Sequence, residues 1–259
     1  MVLEHMLTAI TRAVSPALNR CELTFLERQE IDVARAVAQH RCYRDCLVDL
    51  GLAVLTLPAD PGLPDSVFVE DPAVVVDEVA VILRMGAESR RAEARGLARA
   101  LAPYRPLHYL QEPATLEGGD VVRAGRRLFV GLSGRTNRDG IAQLSARLQP
   151  LGYTVTPVAM RGCLHLKSAC CALGDDLLLA NREWVDTAPF EGFGIVDVAP
   201  GEPDAADVLA IGATVLIPAA FPATAARLAQ SGRRVIPLDV SELMKAEAGV
   251  TCMSVIFEA

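Results

Sequence analysis

The sequence has no surplus of positive charge. Its 259 residues include 25 Lys and Arg against 32 Asp and Glu, which gives a net charge of −7. A protein that binds nucleic acid needs a basic face for the phosphate backbone, so this charge argues against nucleic acid as a partner. Hydrophobic residues make up 51% and charged residues 22%. That balance is typical of a globular protein with a substantial core.

The sequence also has no clear membrane span and no export signal. One uncharged run extends over residues 208–226, close to the roughly 20 apolar residues that a span requires. Gly212 and Pro218 divide this run, so it predicts a buried hairpin that leads into a helix. Glu4 and His5 stand where a signal peptide would be apolar. We therefore expect a cytoplasmic protein that does not contact a membrane.

The cysteines lack the spacing of a disulfide scaffold or a structural zinc site. There are seven, an odd number in a long chain, which indicates reduced thiols. The segments "HRCYRDC" and "CLHLKSACC" combine Cys with His, but neither contains the paired C-x2-C of a zinc site. The segment "GLSGRT" likewise lacks the residues of a phosphate-binding P-loop. We expect no metal site.

One pattern recurs four times along the chain. Each copy has a polar or charged pair, a short apolar strand, a turn of Asp, Gly or Glu, and a second apolar strand; a helical stretch and a further strand often follow. The copies are "FVEDPAVVVDEVAVILRMG", "TLEGGDVVRAGRRLFVGLSG", "LHLKSACCALGDDLLLANRE" and "PDAADVLAIGATVLIPAAF". Their polar anchors Glu70, Glu117, Lys167 and Asp207 stand 47, 50 and 40 residues apart, and Cys252 follows after another 45.

This spacing predicts an α/β ring of five ββαβ units. The fifth unit is incomplete at the C-terminus, and the N-terminal segment "MLTAITRAVSPAL" is expected to complete it and close the ring. The anchor positions would then face one central channel. An ordinary α/β protein with similar loops is the alternative. Because long linkers are absent, the sequence predicts one domain over residues 1–259.

Cys252 and a histidine are candidates for nucleophilic chemistry. A free cysteine is most often a small buried hydrophobe, and it becomes a nucleophile only as a thiolate beside a positive or hydrogen-bonding group, commonly a histidine. Of the four histidines, His5 lies in a terminal tail, His40 is predicted to follow a helix and His108 lies in a strand. Only His165 lies beside an anchor position. A buried structural histidine is the alternative.

Several charged residues adjoin unusually apolar strands. "DSVFVED" and "LEGGD" contain the carboxylates Asp65, Glu70, Asp71 and Glu117. Buried charge is costly unless it is paired, so these residues predict either internal ion pairs or a cationic ligand. Arg90 and Arg135 follow second strands, where each could hold a carboxylate through two hydrogen bonds.

Taken in order, six segments resemble the dimethylarginine dimethylaminohydrolase family of the guanidine-modifying (pentein) superfamily. They are "LPDSVFVEDPAVV", "ESRR", "LEGGDV", "FVGLSGRTN", "LHLKS" and "TCMSVIF", and the resemblance covers about residues 10–258. It implies a five-bladed α/β propeller that hydrolyses asymmetric dimethylarginine and monomethylarginine without a cofactor. The products would be citrulline and dimethylamine or methylamine.

The resemblance also implies roles for individual residues. Cys252 would attack the guanidinium carbon and form a covalent S-alkylthiouronium; His165 would act as general acid and then as general base, oriented by Glu117. Asp65 would hold the guanidinium, and two arginines the substrate α-carboxylate. The implied substrate-binding residues are Leu26 in a lid loop, Asp65, Phe68, Glu70, Asp71, Arg90, Arg135, Ser168, Ala246 and Glu247. The family usually has an apolar residue and Asp at the last two positions, so any contact of the longer Glu247 with the α-amino group would be shifted.

Other functions remain as alternatives. Arginine deiminases have a second Asp two residues after the catalytic histidine, but Lys167 stands there and cannot accept hydrogen bonds, which favours a methylated substrate. An amidinotransferase would need elements for a second amine, which this shorter chain does not offer. A non-catalytic relative would lack the pair of Cys252 and His165. The sequence is compatible with either a monomer or a homodimer.

Overall fold

The computed structural model describes residues 6–259, so Glu4 and His5 lie outside the described residues. Within this range the strands are β1 Leu7–Arg12, β2 Ala53–Leu57, β3 Ala73–Val75, β4 Ala80–Ile82, β5 Leu107–Tyr109, β6 Val121–Ala124, β7 Arg127–Leu132, β8 Thr154–Ala159, β9 Cys170–Ala172, β10 Leu177–Ala180, β11 Gly194–Asp197, β12 Leu209–Ile211, β13 Thr214–Pro218, β14 Arg234–Leu238 and β15 Val255–Glu258. The helices are α1 Val33–Asp49, α2 Ala94–Leu101, α3 Arg138–Leu148, α4 Leu166–Ala169, α5 Pro222–Gln230 and α6 Ser241–Met244. Short 3-10 segments cover Leu18–Arg20, Glu88–Glu93, Gly118–Asp120, Gln149–Leu151 and Ala188–Phe190. No helix in the described part of the chain has the length and apolarity to cross a bilayer.

The strands form five three-stranded sheets with one common plan. In the sheet β6–β7–β8, an antiparallel hairpin pairs Val121 with Val130, and β8 joins β7 in parallel after α3 has crossed over. The sheets β3–β4–β5, β9–β10–β11 and β12–β13–β14 repeat this arrangement. In the sheet β9–β10–β11, the crossover contains the 3-10 segment Ala188–Phe190 instead of an α-helix. The chain therefore folds as a five-bladed α/β propeller, which confirms the prediction.

The fifth sheet combines both ends of the chain. Strand β1 pairs antiparallel with β15, from Leu7 opposite Glu258 to Ile10 opposite Val255. It also pairs in parallel with β2, and α1 lies between β1 and β2 in the chain. The prediction that the N-terminal segment completes the last unit is confirmed. This closure places Cys252 three residues before a strand that is held by the N-terminus.

Local signals in the sequence account for where three of the helices begin. The Asp32 side chain accepts a hydrogen bond from Arg35 N at the start of α1, and Asn137 does the same for Gly140 N at the start of α3, as N-cap residues do. The uncharged run over residues 208–226 forms β12, β13 and the start of α5. This run is the buried hairpin and helix that the sequence predicted, and Pro222 occupies the first turn of the helix.

The predicted position of His40 is wrong. The sequence predicts that His40 follows a helix, but α1 continues to Asp49 and His40 lies inside it. Its ring is buried and stacks on Tyr43 at a centroid distance of 6.2 Å. Burial lowers the pKa of His40 to about 4, so it is a neutral residue of the core. His108 lies in strand β5, as the sequence predicted.

Candidate active site

The repeat anchors meet near the centre of the ring. Lys167 Nζ forms an ion pair with Glu70 Oε1 and lies 3.3 Å from the carbonyl oxygen of Gly118. The Thr251 hydroxyl lies 2.9 Å from Glu70 Oε2 and 3.2 Å from Asp207 Oδ2. The anchors Glu70 and Lys167 of two separate blades are thus bonded directly, and Thr251 links Glu70 to a third anchor, Asp207.

Cys252 is buried among carboxylates. Its thiol donates a long hydrogen bond of 3.9 Å to Asp207 Oδ2, and only 8% of the residue is exposed. Burial raises the pKa of the Cys252 thiol well above its ordinary value, and the negative charges of Asp207, Glu70 and Asp71 raise it further. In the absence of a cation the thiol is therefore neutral, and a bound cation would favour the thiolate.

Asp207 is held against the turn that leads to Cys252. Its Oδ1 accepts a hydrogen bond of 3.0 Å from Thr251 N. A Cβ atom on Gly249 would lie 2.1 Å from Asp207 Cγ, so only glycine allows this close approach. The sequence predicts Asp207 as a repeat anchor but not as a residue of the site. The anchor spacing was the signal that could have identified it.

His165 and Glu117 form a buried hydrogen-bonded pair. His165 Nε2 lies 2.9 Å from Glu117 Oε2. Burial disfavours the imidazolium, but the negative charges of Asp120, Asp71 and Glu117 outweigh it and raise the pKa of His165 to about 9. At neutral pH His165 is therefore protonated and able to donate a proton.

Glu117 is ionised for a complementary reason. Burial opposes its negative charge, but the hydrogen bond with His165 and the positive charges of His165, Arg90 and Arg135 lower the pKa of Glu117 to about 2. Its Oε1 also accepts a hydrogen bond of 3.1 Å from Ala87 N. The carboxylate is thus fixed on several sides and lies where it can orient the imidazole, the role that the family resemblance implies for it.

The "LEGGD" segment shapes the pocket for this imidazole. Asp120 Oδ1 accepts a hydrogen bond of 2.9 Å from Leu166 N, the first residue of α4, directly after His165. Ser133 Oγ donates to the other oxygen of Asp120 at 2.6 Å. A Cβ atom on Gly119 would lie 2.5 Å from His165 Nδ1. The motif therefore supplies both the carboxylate that starts α4 and the space that the ring needs.

The two predicted arginines have different surroundings. Arg90 is buried and donates to Asp71 Oδ2 at 2.9 Å and to both oxygens of Glu93 at 3.1 and 2.9 Å. Arg135 lies 3.3 Å from both Glu117 oxygens and donates to Thr24 Oγ1 at 3.0 Å. Arg90 is thus largely occupied by internal ion pairs, whereas Arg135 connects the histidine pair to the surface.

The "DSVFVED" segment divides between two regions. Asp71 accepts hydrogen bonds from Arg90 and, at 3.1 Å, from Gly119 N beside His165. Asp65 instead accepts from Glu22 N at 3.1 and 3.2 Å, at the base of a surface loop. Burial raises the pKa of Asp65 although Arg90 opposes this. Glu70 and Asp71, not Asp65, are the members of this segment whose charges act on the thiol.

The remaining predicted residues lie in the core beside Cys252 or line a cavity. Phe68 is buried in the same apolar cluster as Cys252 and Ala246. Leu26 belongs to an exposed loop, residues 22–30, which we call the lid segment. Leu26, Ser168 and Glu247 line a cavity of about 250 Å³. Its walls also include Phe25, Trp184, Phe221 and Met244. Asp207 and Gly249 line its inner end, and Asp207 contacts Cys252.

One group of side chains among residues 6–259 has donor atoms close enough to hold a metal ion. Oxygen or nitrogen atoms of Asp71, Glu117 and His165 lie within 4.8 Å of one another. Each of these groups already has a protein partner, namely Arg90, Arg135 or the His165–Glu117 pair itself. Neither of the mixed Cys and His segments of the sequence contributes a cysteine to this group.

The sequence and the structure of the chain are both similar to those of one protein family. Residues 11–189 match a family profile described as N,N dimethylarginine dimethylhydrolase, eukaryotic. An N(G),N(G)-dimethylarginine dimethylaminohydrolase of Streptomyces coelicolor is 40% identical over 248 residues, which is 95% of each chain. The Pseudomonas aeruginosa protein of that name is 36% identical over 228 residues, or 87% of this chain and 90% of the relative. A solved Pseudomonas aeruginosa structure, a cysteine-to-serine variant complexed with citrulline, superposes with a TM-score of 0.93 at 34% identity and covers 97% of this chain and 100% of that chain.

Proposed function

The chain belongs to the dimethylarginine dimethylaminohydrolase family and is a hydrolase acting on C–N bonds, and we propose that it converts Nω-methylated arginines to citrulline and dimethylamine or methylamine. The observation that carries this proposal is the buried Cys252 thiol among three carboxylates, with a protonated histidine bound to the same network. Such a site favours a cationic electrophile, and a guanidinium is both cationic and electrophilic at carbon.

The bound guanidinium activates the nucleophile in this mechanism. Asp207 contacts the thiol and the charge of Asp71 acts on it, and both carboxylates offer acceptors for guanidinium N–H groups. A cation at this position lowers the pKa of Cys252, so the thiol releases its proton to solvent when the substrate binds. The thiolate then forms an S–C bond to the guanidinium carbon and produces a tetrahedral adduct.

His165 completes both halves of the reaction. As the C–N bond to the dimethylamino group breaks, the imidazolium donates its proton to the leaving nitrogen and an S-alkylthiouronium remains. The neutral imidazole next removes a proton from water, whose oxygen attacks the thiouronium carbon. The C–S bond breaks, and the extra proton on the new urea group moves to the sulfur, which restores the neutral thiol. Citrulline leaves, and both groups regain their initial protonation states.

The amino-acid end of the substrate is assigned to the lid side. Arg135 contacts Glu117 through Nη1 and Thr24 of the lid segment through Nη2. It is therefore the arginine better placed for the α-carboxylate. Arg90 supports the site by neutralising Asp71 and Glu93. Asp65, at the base of the lid segment, suits the α-amino group better than the guanidinium.

Lys167 favours a methylated substrate. Its ammonium is bound to Glu70 and Gly118 O, so this position offers no acceptor for an unmethylated guanidinium nitrogen. We expect citrulline release from asymmetric dimethylarginine and monomethylarginine to exceed release from arginine by at least about tenfold in kcat/KM, since unsatisfied buried donors are costly. The assay compares the three substrates side by side with a chelator present. Preference for arginine would make the chain a deiminase, and activity on none of them would remove the proposal.

The covalent step has its own test. Cys252→Ser should reduce turnover by about three or more orders of magnitude, because a serine hydroxyl is a far weaker nucleophile at this site. Binding of dimethylarginine, measured by calorimetry, should persist. Cys170→Ser is a matched control, because Cys170 is also fully buried and burial alone raises its pKa to about 12. Appreciable turnover by Cys252→Ser would transfer the nucleophile to another residue.

A further inference from the structure

The tip of the lid segment is bound to one carboxylate. Glu247 accepts hydrogen bonds from three consecutive backbone N–H groups: Thr24 N at 3.0 Å to both oxygens, Phe25 N at 2.5 Å and Leu26 N at 2.6 Å. Within residues 6–259 these N–H groups have no other hydrogen-bond acceptor. Successive N–H groups of this kind form a concave anion site, and here the anion is a side chain of the same protein.

The backbone at Glu247 supports a specific role. Its φ is 58°, and it is the only non-glycine residue with a positive φ among residues 6–259. That conformation is unfavourable for a residue with a Cβ atom and free for glycine. The strained conformation directs a long acidic side chain at a loop more than 220 positions away in sequence. Glu247 therefore appears where backbone geometry alone would favour glycine.

The same part of the lid segment is connected to the histidine pair. Thr24 Oγ1 accepts from Arg135 Nη2, and Arg135 Nη1 contacts Glu117, the partner of His165. The base of the lid segment is held separately, because Glu22 N donates to Asp65. Loss of the Glu247 carboxylate would thus release the tip and leave the base attached.

We propose that Glu247 is a positioning residue that holds the lid segment closed over the site, and not a ligand of the substrate. In the closed position Phe25 and Leu26 form one wall of the cavity that extends to Asp207. An open lid would remove this wall and separate Thr24 from Arg135. The kinetic consequence rests on the proposed function, since it requires that the substrate lies beneath the lid, but the contact itself does not.

Glu247→Gly is the sharpest variant. It removes the carboxylate and also relieves the strained φ, so the fold should not lose thermal stability. In the substrate-free protein, exchange of the Thr24, Phe25 and Leu26 amides should become at least about tenfold faster, since each loses its acceptor. KM for dimethylarginine should rise at least about tenfold with kcat within about threefold, because only the closed population retains substrate. Glu247→Gln keeps one neutral acceptor, so its amide exchange rates and its KM should lie between those of the parent protein and those of Glu247→Gly.

Glu27→Gln is the matched control. Glu27 lies in the lid segment, is exposed, and has no side-chain hydrogen bond within the described residues, so amide exchange and KM should match those of the parent protein. If amide exchange at Thr24–Leu26 is unchanged in Glu247→Gly, Glu247 does not hold the lid segment closed, and this conclusion does not depend on the activity. Faster exchange with unchanged KM overturns the positioning role. If the parent protein does not act on dimethylarginine, the proposed function fails, but amide exchange still shows whether Glu247 holds the lid segment closed.

Discussion

At the scale of single residues, fixed charges determine which groups carry protons. His165 has a pKa of about 9 while burial and carboxylates raise that of Cys252 well above its ordinary value. At neutral pH the site therefore holds an imidazolium and a neutral thiol, not a thiolate. His165, the acid for the leaving amine, is thus protonated before the substrate binds, whereas Cys252 becomes a nucleophilic thiolate only beside a bound cation. This order protects a buried thiol from reaction in the absence of substrate.

Glu117→Gln tests this assignment through the pH dependence of turnover. The pKa of His165 is raised in the folded protein, so its acid form is complete at neutral pH and is lost as pH rises through about 9. Removal of the adjacent negative charge should lower this pKa by about 1–3 units. We expect the falling limb of kcat to move to lower pH by the same amount. An NMR titration of the His165 ring measures the pKa directly.

The control for Glu117→Gln is Glu183→Gln. Glu183 is exposed and its side chain makes no hydrogen bond within residues 6–259, so the pH profile should not change. If the falling limb stays in place in Glu117→Gln while the ring pKa moves, His165 is not the acid that limits turnover. The proton donor would then have to be sought elsewhere in the network.

At this scale the sequence predicts the reactive residue types but not all of their contacts. Cys252 and His165 stand out because few cysteines and histidines occupy anchor positions, and the structure brings both into one carboxylate network. The pairing of Arg90 with Glu93 and the contact of Glu247 with the lid segment were not predicted. The second joins residues from opposite ends of the chain, and its geometry depends on one unusual φ that no local pattern reveals.

At the scale of elements, the site consists of segments that flank short strands. "LEGGD" precedes β6, "LHLKS" leads into β9, and Cys252 precedes β15. Hairpins and third strands were predictable because their apolar runs are interrupted by Gly and Asp. The short helices α4 and α6 were not predicted, since four residues are too few to show helical periodicity.

Gly119→Ala tests how tightly one such segment fits its neighbour. The added methyl would lie 2.5 Å from His165 Nδ1 and 3.0 Å from Asp71 Oδ1, so the imidazole must move. A displacement of about 1 Å costs roughly a hundredfold in rate, and we expect kcat to fall by about that factor. Folding should be retained, as judged by circular dichroism.

Gly174→Ala provides the comparison for Gly119→Ala. Gly174 lies in the turn between β9 and β10, and its added methyl would meet only the end of the Arg233 side chain, at 3.4 Å. Its kcat should stay close to that of the parent protein. Full activity in Gly119→Ala would show that His165 tolerates displacement and that the glycine serves another purpose.

At the scale of the whole molecule, the two chain ends share one blade. The sequence predicted this closure because the fifth repeat stops after its first apolar strand, and β1 supplies the missing strand. Strand β1 lies between β15 and β2, so its loss would open the ring and detach the segment that carries Cys252. The sequence also predicts a single domain over residues 1–259, which remains to be tested by the cooperativity of unfolding.

Ile10→Ala tests that cooperativity at the closure. Ile10 is fully buried, pairs with Val255 in β15 and with Leu55 in β2, and its truncation should lower the free energy of unfolding by about 2–5 kcal/mol. Leu55→Ala is the matched control, because Leu55 is 40% exposed and its truncation should cost less than about 1 kcal/mol. Trp184, the single tryptophan, reports on the third blade by fluorescence, while circular dichroism reports on all five. If the ring unfolds as one domain, a change at the fifth blade must shift both denaturation curves together. Separate midpoints would mean that blades unfold independently, and the prediction of one domain would be wrong.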